Sequence, residues 1–336
     1  MNVLYTCDNN YIWLMAISTI SLFETNKNMK DLSVYLLGEN ISDENKKILD
    51  DIAKKYNRNI VVIDVEKIEI PTKLASTRWP ISAFTRLFAG EYLPNDMKKI
   101  LYLDCDTIIN GDISKLDTIE FNDYYLMGVR DCINSRYNRN IGLDPDDTYI
   151  NAGVILMNLD ELRKINVREK INSFIDNYGN CISFADQDIL NGIYKSKIGT
   201  IDPNYDVMTI FAEYEYKDII KLRNPSKFYG KEKIDDAKNN PLIIHYTTNM
   251  KTIRPWYSNS DHKLKENFLK YLSMSPYKDR SLNEFTFNTK ESKVIGLIQK
   301  FPNFISYRVL GLIHSNLKPN YVYYKNKKKE KTVWFQ

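Results

Sequence analysis

Apolar residues recur along this chain in two rhythms that take turns. Asn2–Thr6 (N-V-L-Y-T) is a short β-prone run, and the Cys-Asp-Asn-Asn cluster after it reads as the loop at its carboxyl end. Tyr11–Glu24 carries apolar residues at helical spacing, and Leu32–Leu37 is again strand-like. Ser42–Tyr56 predicts a helix whose acidic start and basic end complement its macrodipole, and Asn59–Val65 predicts a third strand. This β-α-β-α-β alternation predicts a mostly parallel, doubly wound α/β sheet flanked by helices. Further on, Ala83–Leu93 reads as a helix, Lys99–Leu103 as a buried strand, Tyr125–Val129 and Gly153–Asn158 as strands, Leu162–Tyr178 and Ser183–Tyr194 as helices, and Pro241–Tyr246 as a late strand. No internal repeat or Gly/Ser linker separates these pieces, so residues 1–260 are expected to form one catalytic-size domain. Residues 261–336 change to short amphipathic helices and a basic, aromatic tail.

Composition changes this picture only at the C-terminus. The 336 residues are 43% hydrophobic and 27% charged, an ordinary globular balance rather than a disordered one. Forty-seven basic against 43 acidic residues give +4, but residues 290–336 hold 10 Lys/Arg and 2 Glu, leaving 37 against 41 in the rest. A slightly acidic body thus carries a tail of +8, and with no recognition module in sight nucleic acid is excluded as a partner. The four cysteines form no C-x-x-C pair, which argues against a zinc knuckle or disulfide scaffold and for a reducing compartment. No stretch reaches the roughly 18 apolar residues of a membrane span, and the N-terminus lacks a secretory pattern, so the expected location is cytoplasmic.

The sharpest chemical feature is Lys99-Ile-Leu-Tyr-Leu-Asp-Cys-Asp-Thr, in which an apolar strand delivers Asp104 and Asp106 to its carboxyl end. Ligands of open α/β sheets bind there, and two hard oxygen donors suit Mn²⁺ or Mg²⁺ that also holds a diphosphate. A solvated turn would look the same in isolation. The same D-x-D-x-T resembles the signature of haloacid-dehalogenase-like phosphatases, with Asp104 as phosphoryl acceptor. That motif, however, usually opens its domain, whereas three strands precede it here, and no G-D-x-x-x-D-like cluster follows.

A wider set of blocks points elsewhere. Asp8-Asn9-Asn10-Tyr11 after the first strand, Arg86 in Ile81-Ser-Ala-Phe-Thr-Arg-Leu, Leu103-Asp-Cys-Asp, Asn151-Ala-Gly-Val-Ile-Leu-Met-Asn-Leu, Asp186-Gln-Asp-Ile-Leu-Asn, and His245-Tyr followed by Pro255-Trp256 together resemble family 8 glycosyltransferases. The resemblance implies a GT-A fold and a retaining enzyme that moves galactose or glucose from a UDP-sugar, like the bacterial lipopolysaccharide hexosyltransferases. It implies donor contacts from Asp8, Asn10, Arg86, Asp104, Cys105, Asp106, Asn151, Ala152, Asp186 and Gln187, a metal held by Asp104, Asp106 and His245, and roles near the reaction for Gln187 and Asp188. Asp131, in Val129-Arg-Asp-Cys, is a candidate acceptor contact.

Each block also has a plainer reading. Asp8 and Asn10 suit a helix cap, Arg86 a solvated helix position, Asn151-Ala152-Gly153 a plain turn where small residues would otherwise let a sugar ring approach the backbone, and Ser183-x-x-Asp186 a capping box. A strand-end histidine such as His245 is commonly structural. This chain departs from the family after His245, where His-Tyr-Thr-Thr-Asn-Met-Lys-Thr-Ile-Arg-Pro-Trp leaves either Lys251 or Arg254 as the cation facing the diphosphate. Gln187 is a weak nucleophile, which favours attack by the acceptor on the leaving-group face. The acceptor is expected to be a saccharide, glycolipid or glycoprotein, and the lysines and aromatics of the tail suit the surface of an anionic membrane. A non-catalytic saccharide-binding homologue is the third possibility.

Overall fold

A computed structural model describes residues 1–65, 81–250 and 252–333. Its centre is a seven-stranded sheet of order β3-β2-β1-β4-β7-β6-β8, formed by β1 (Asn2–Asp8), β2 (Ser33–Glu39), β3 (Asn59–Asp64), β4 (Lys99–Leu103), β6 (Leu126–Arg130), β7 (Ile150–Asn158) and β8 (Ile198–Thr200). β7 runs antiparallel to both its neighbours and the other pairings are parallel, so the mostly parallel α/β architecture expected from the alternation is present. A small second sheet, β5 (Thr107–Ile109), β10 (Ile243–His245) and β9 (Val207–Met208), stands beside the carboxyl end of β4.

Apolar side chains fill both faces of the large sheet. One core packs Tyr5, Leu101 and Leu103 against helix α1 (Ile12–Thr25), and the other packs Leu4, Tyr102 and Ile155 against Phe84, Leu87 and Ile189. Helix α2 (Asp43–Tyr56) begins as its sequence predicts: the Ser42 hydroxyl accepts from Asn45 N, Asp43 and Glu44 open the helix, and Lys54 and Lys55 close it.

Three elements differ from the periodicity. The predicted helix 83–93 is a 3₁₀ segment, Ile81–Phe88, followed by the short turn Ala89–Tyr92. With three residues per turn, Phe84 and Leu87 stack into the second core while Arg86 takes another face, toward β4. The predicted helix 162–178 is split into Leu159–Leu162 and α3 (Val167–Tyr178), because Asn158 and Asn166 each cap a separate start. The Ser183-x-x-Asp186 capping box does not form: α4 (Ala185–Ile193) is capped by Phe184 without a side-chain bond, and the Asp188 carboxylate instead accepts from the N–H groups of Ser183 and Phe184.

The C-terminal segments are packed onto this body. Helix α6 (Lys265–Met274) buries Phe268, Tyr271 and Leu272 in the first core, against Trp13 and Tyr246. Helices α7 (Lys290–Ile298) and α8 (Asn303–Leu312) are separated at Pro302, and α8 lies on α5 (Tyr216–Arg223). Gly311 makes that approach possible, since a Cβ there would stand 1.8 Å from the Lys221 carbonyl oxygen. The chain then passes through a wide turn at Ile313–Leu317 into α9 (Lys318–Val333). Tyr137 donates to the His314 carbonyl and Asn140 to that of Pro319, tying the tail down. Among the described residues no helix is long and apolar enough to cross a membrane.

Candidate active site

Strand order reverses between β1 and β4, which are neighbours although β2, β3 and the helices α1 and α2 lie between them in the chain. Such a switch point opens a crevice beyond the carboxyl ends of the strands. Asp8 ends β1 there and Asp104 follows β4. The Asp104 N–H donates to Gly153 O at 2.8 Å, and the turn closes when Thr107 Oγ1 donates back to the Asp104 carbonyl.

β10 delivers His245 to the two aspartates. Its Nε2 lies 3.3 Å from Asp106 Oδ1 and 3.5 Å from Asp104 Oδ2, and one ligand atom from each of the three residues falls within 4.8 Å of the others. Two carboxylate oxygens and one imidazole nitrogen are a donor set suited to Mn²⁺ or Mg²⁺. The fit extends outward: His245 Nδ1 lies 2.9 Å from Asp206 Oδ1, the arrangement that fixes which ring nitrogen faces a metal. Asp206 is wholly buried and its Oδ2 has no partner. Burial alone would lower the His245 pKa, but Asp206 and Asp106 push it well above the ordinary value, the mark of a site rich in negative charge.

Gly153 has a purpose different from the one its sequence suggests. A Cβ at this position would meet His245 Cε1 at 2.0 Å, so the space beside the β7 backbone belongs to the imidazole rather than to a sugar. Arg86 also departs from expectation. It is buried, its Nη2 pairs with Asp104 Oδ1 at 2.9 Å, its Nε lies 3.0 Å from Asp186 Oδ2, its Nη1 donates to Ala152 O at 2.6 Å, and its plane covers the Tyr102 ring. It is therefore neither a solvated helix arginine nor an open fork: it sets the rotamers of two carboxylates. Burial works against ionisation of Asp104, yet Arg86 and His245 hold its pKa well below the carboxylate range. Asp186, where burial outweighs Arg86, is pushed up to about 6.

The remaining expected residues fall into three groups. Asp8 accepts from Asn10 N and so caps the turn Asn9–Tyr11, while Asn10 lines a cavity of about 240 Å³ shared with Tyr11, Arg254 and Trp256. Arg254 Nη2 lies 3.3 Å from Asp106 Oδ2 and donates to Thr248 Oγ1, while its buried Nε has no partner. The alternative cation, Lys251, lies outside the described residues.

The second group surrounds Gln187. Its Oε1 accepts from Asn151 Nδ2 and Ala152 N, and its Nε2 donates to Asp131 Oδ2 at 2.7 Å and to Tyr149 Oη at 3.2 Å, which fixes the orientation of the amide. The third group faces inward. Asp188 is 1% exposed and accepts from Tyr149 Oη, Ser183 N and Phe184 N, and the Cys105 thiol points at Thr6 O. Sequence reasoning passed over Asp206, Tyr149 and the exposed ring of Tyr11. For Asp206 no local signal existed, because its partner His245 lies 39 residues away.

Comparison with known proteins agrees with this geometry. The model of Glycosyl transferase family 8 matches residues 2–260. General stress protein A of Bacillus subtilis (strain 168) is 24% identical over 280 residues, covering 82% of this chain and 94% of that protein. An Escherichia coli lipopolysaccharide 1,2-glucosyltransferase is 27% identical over 284 residues, covering 83% and 79%. A crystal structure of the galactosyltransferase LgtC in complex with donor and acceptor sugar analogs superposes with a TM-score of 0.68 at 21% identity, covering 88% of this chain and 99% of that one, and establishes the GT-A fold. The phosphatase reading of Asp104 is overturned by the same match, and its Oδ1 is in any case occupied by Arg86 and by the Tyr102 hydroxyl at 2.6 Å. With its strand-end aspartates, their histidine and three-quarters of its length accounted for, this chain belongs to glycosyl transferase family 8.

Proposed function

We propose that the protein transfers galactose or glucose from a UDP-sugar to a hydroxyl of a lipopolysaccharide-like glycan, with retention of configuration and with Mn²⁺ or Mg²⁺ on Asp104, Asp106 and His245. The observation that carries this reading is the convergence of those three side chains within 4.8 Å at the switch point, beside the unpartnered Nε of Arg254. The names of the lipopolysaccharide glucosyltransferase and of the galactosyltransferase with bound sugar analogs support the substrate class. Residues 1–260 would form the catalytic domain, in line with the extent of the family match.

When bound, the cation supplies electrophilic stabilisation of charge on the departing diphosphate. Arg254 adds its guanidinium on the same side, and Asp8 and Asn10 receive the nucleoside. Arg86 acts by holding Asp104 and Asp186 in place, and Asp186 with Asn151 and the Ala152 backbone lines the donor-sugar position. Gln187 is an amide pinned by four hydrogen bonds, and the oxygens of Asp188 are already taken, so neither presents a free nucleophile on the far face of the sugar. The acceptor hydroxyl therefore attacks from the leaving-group face with Asp131 at its side, and Asp188 is a positioning residue. Between Lys290 and Val333 the chain exposes Leu297, Phe301, Phe304, Leu312 and Tyr321 among lysines, which supports docking on the anionic inner face of a membrane.

The test is UDP release from UDP-galactose and UDP-glucose with Mn²⁺, repeated in EDTA. Metal-dependent release with one of the two donors is expected. Equal release in EDTA, or none with either donor, would sink the proposal, as would a glycosyl adduct trapped on Gln187 or Asp188 for the front-face step.

A further inference from the structure

Gln187 also lines a second cavity, of about 180 Å³, whose lining includes three polar groups that the donor chemistry does not use. Arg223, the last residue of α5, donates from Nη2 to Asn249 Oδ1 at 2.5 Å, and among the described residues that is its only hydrogen-bond or ion-pair partner. Asn249 is 2% exposed, yet its Nδ2 has no partner. His314, brought in by the tail, likewise leaves a buried Nδ1 unmatched. Buried polar atoms without partners are costly, by about 1–3 kcal/mol each, unless something else occupies the cavity.

The cavity carries both signs of charge in its lining. One is the Asp131 carboxylate, with Oδ1 taking the Cys132 N–H and Oδ2 the Gln187 amide. The other is the Arg223 guanidinium, held beside the unpartnered amide Nδ2 of Asn249. A saccharide with an anionic substituent fits this lining: its attacking hydroxyl would lie at Asp131 and its carboxylate or phosphate at Arg223, in charge-assisted hydrogen bonds. A neutral sugar would leave the guanidinium without a counter-charge.

We infer that this cavity is an acceptor subsite selective for an acidic sugar, one bearing a carboxylate or a phosphate, read by Arg223 and Asn249 and walled by His314 of the tail. The inference rests on the glycosyltransferase reading for its direction, but it can be tested without turnover. Binding of the methyl glycosides of galactose, galacturonic acid and galactose 6-phosphate, and of their glucose counterparts, is measured by calorimetry or ligand-detected NMR on the full chain. At least one acidic sugar should bind ten or more times tighter than its neutral parent, and the carboxylate and phosphate arms decide which anion is preferred. Arg223→Gln should abolish that ratio, Arg223→Lys should keep part of it, and Asn249→Asp, which supplies an internal carboxylate to the guanidinium, should abolish it while leaving Arg223 in place. Thermal melts confirm that each variant is folded. Equal binding of acidic and neutral sugars, or a preference that survives Arg223→Gln, overturns the subsite. Failure of UDP release in the donor assay is a separate result that would overturn the transferase reading alone.

Discussion

The two ends of the cleft are built by different means. Around Asp104 the polar atoms come from the ends of β1, β4, β7 and β10, and Arg86, Tyr102, Asp206 and Gly153 lock them from behind. Around Arg223 they come from a helix end, from a loop in which Met250 has φ +45°, and from a tail segment whose His314 arrives from 91 positions later in the chain than Arg223. The first end is crowded with charges that compensate one another; the second holds donors that await a partner. A sheet can fix catalytic geometry in advance, whereas groups assembled from loops and tails are free to change with the acceptor.

Asp104→Asn should separate the two ends most sharply. It removes one metal oxygen and the main counter-charge of Arg86, and a loss of about 10²–10³ in kcat is expected in the UDP-release assay. Binding of an acidic saccharide at Arg223 should survive, because no group on that wall touches Asp104. A parallel loss of both would show that the ends are one unit.

Below the metal site, acid should act through His262. Its Nε2 lies 3.3 Å from Thr209 Oγ1, its Nδ1 accepts from Leu264 N, and its ring meets the edge of Tyr246. Burial pushes its pKa down to about 4 from an ordinary 6.5. The unfolded chain therefore takes up a proton between those values that the native state refuses. The contribution of the neutral ring is complete above pH 6.5, falls as pH drops, and is lost by about pH 4, a change of about 3 kcal/mol. Urea melts at pH 7 and 4.5 on wild type and His262→Gln isolate this share; identical pH slopes in the two proteins would refute it.

Asp206→Asn is the next smaller perturbation. Losing the carboxylate behind His245 should weaken Mn²⁺ binding by about 10–100-fold, measured by metal titration, without removing any ligand. Unchanged affinity would mean that Asp206 balances charge only. Gly153→Ala, which drives a Cβ into the same imidazole, should lower affinity by a different route, by displacing the ring.

Legibility in the sequence followed the same division. The strand-to-aspartate step at Lys99–Asp106 was readable because alternation and the D-x-D are local, and the register of β4 against β7 then follows from burial on both faces. The blocks also pointed to Gln187 and His245. What the sequence did not carry was the partner of each group. Arg86 looked like a ligand-facing fork, but the 3₁₀ turn aims it at Asp104 and Asp186. The space beside Gly153 was read as sugar-facing, and the histidine that fills it comes from the other sheet. Arg223, Asn249 and His314 carried no motif at all, since only tertiary packing of α8 on α5 brings them together.

The smallest predicted effect concerns the tail, which serves both as a wall of the acceptor cavity and, in our reading, as a membrane contact. These two uses are separable because they employ different residues. Gly311 and His314 face the body, whereas Phe301 and Phe304 are 59% and 62% exposed, next to Lys300. Each basic side chain near an anionic surface contributes about 1 kcal/mol, so Lys300→Gln should reduce partitioning onto phosphatidylserine-containing vesicles about fivefold. Phe304→Ser should reduce it further by removing an aromatic from headgroup depth. Neither change should alter the acidic-to-neutral binding ratio at Arg223. If vesicles of neutral lipid bind the protein equally well, charge is not the attraction. If Lys300→Gln shifts the saccharide ratio, then the exposed face and the cavity wall of the tail move together, and the acceptor end of the cleft is set by the membrane as well as by the fold.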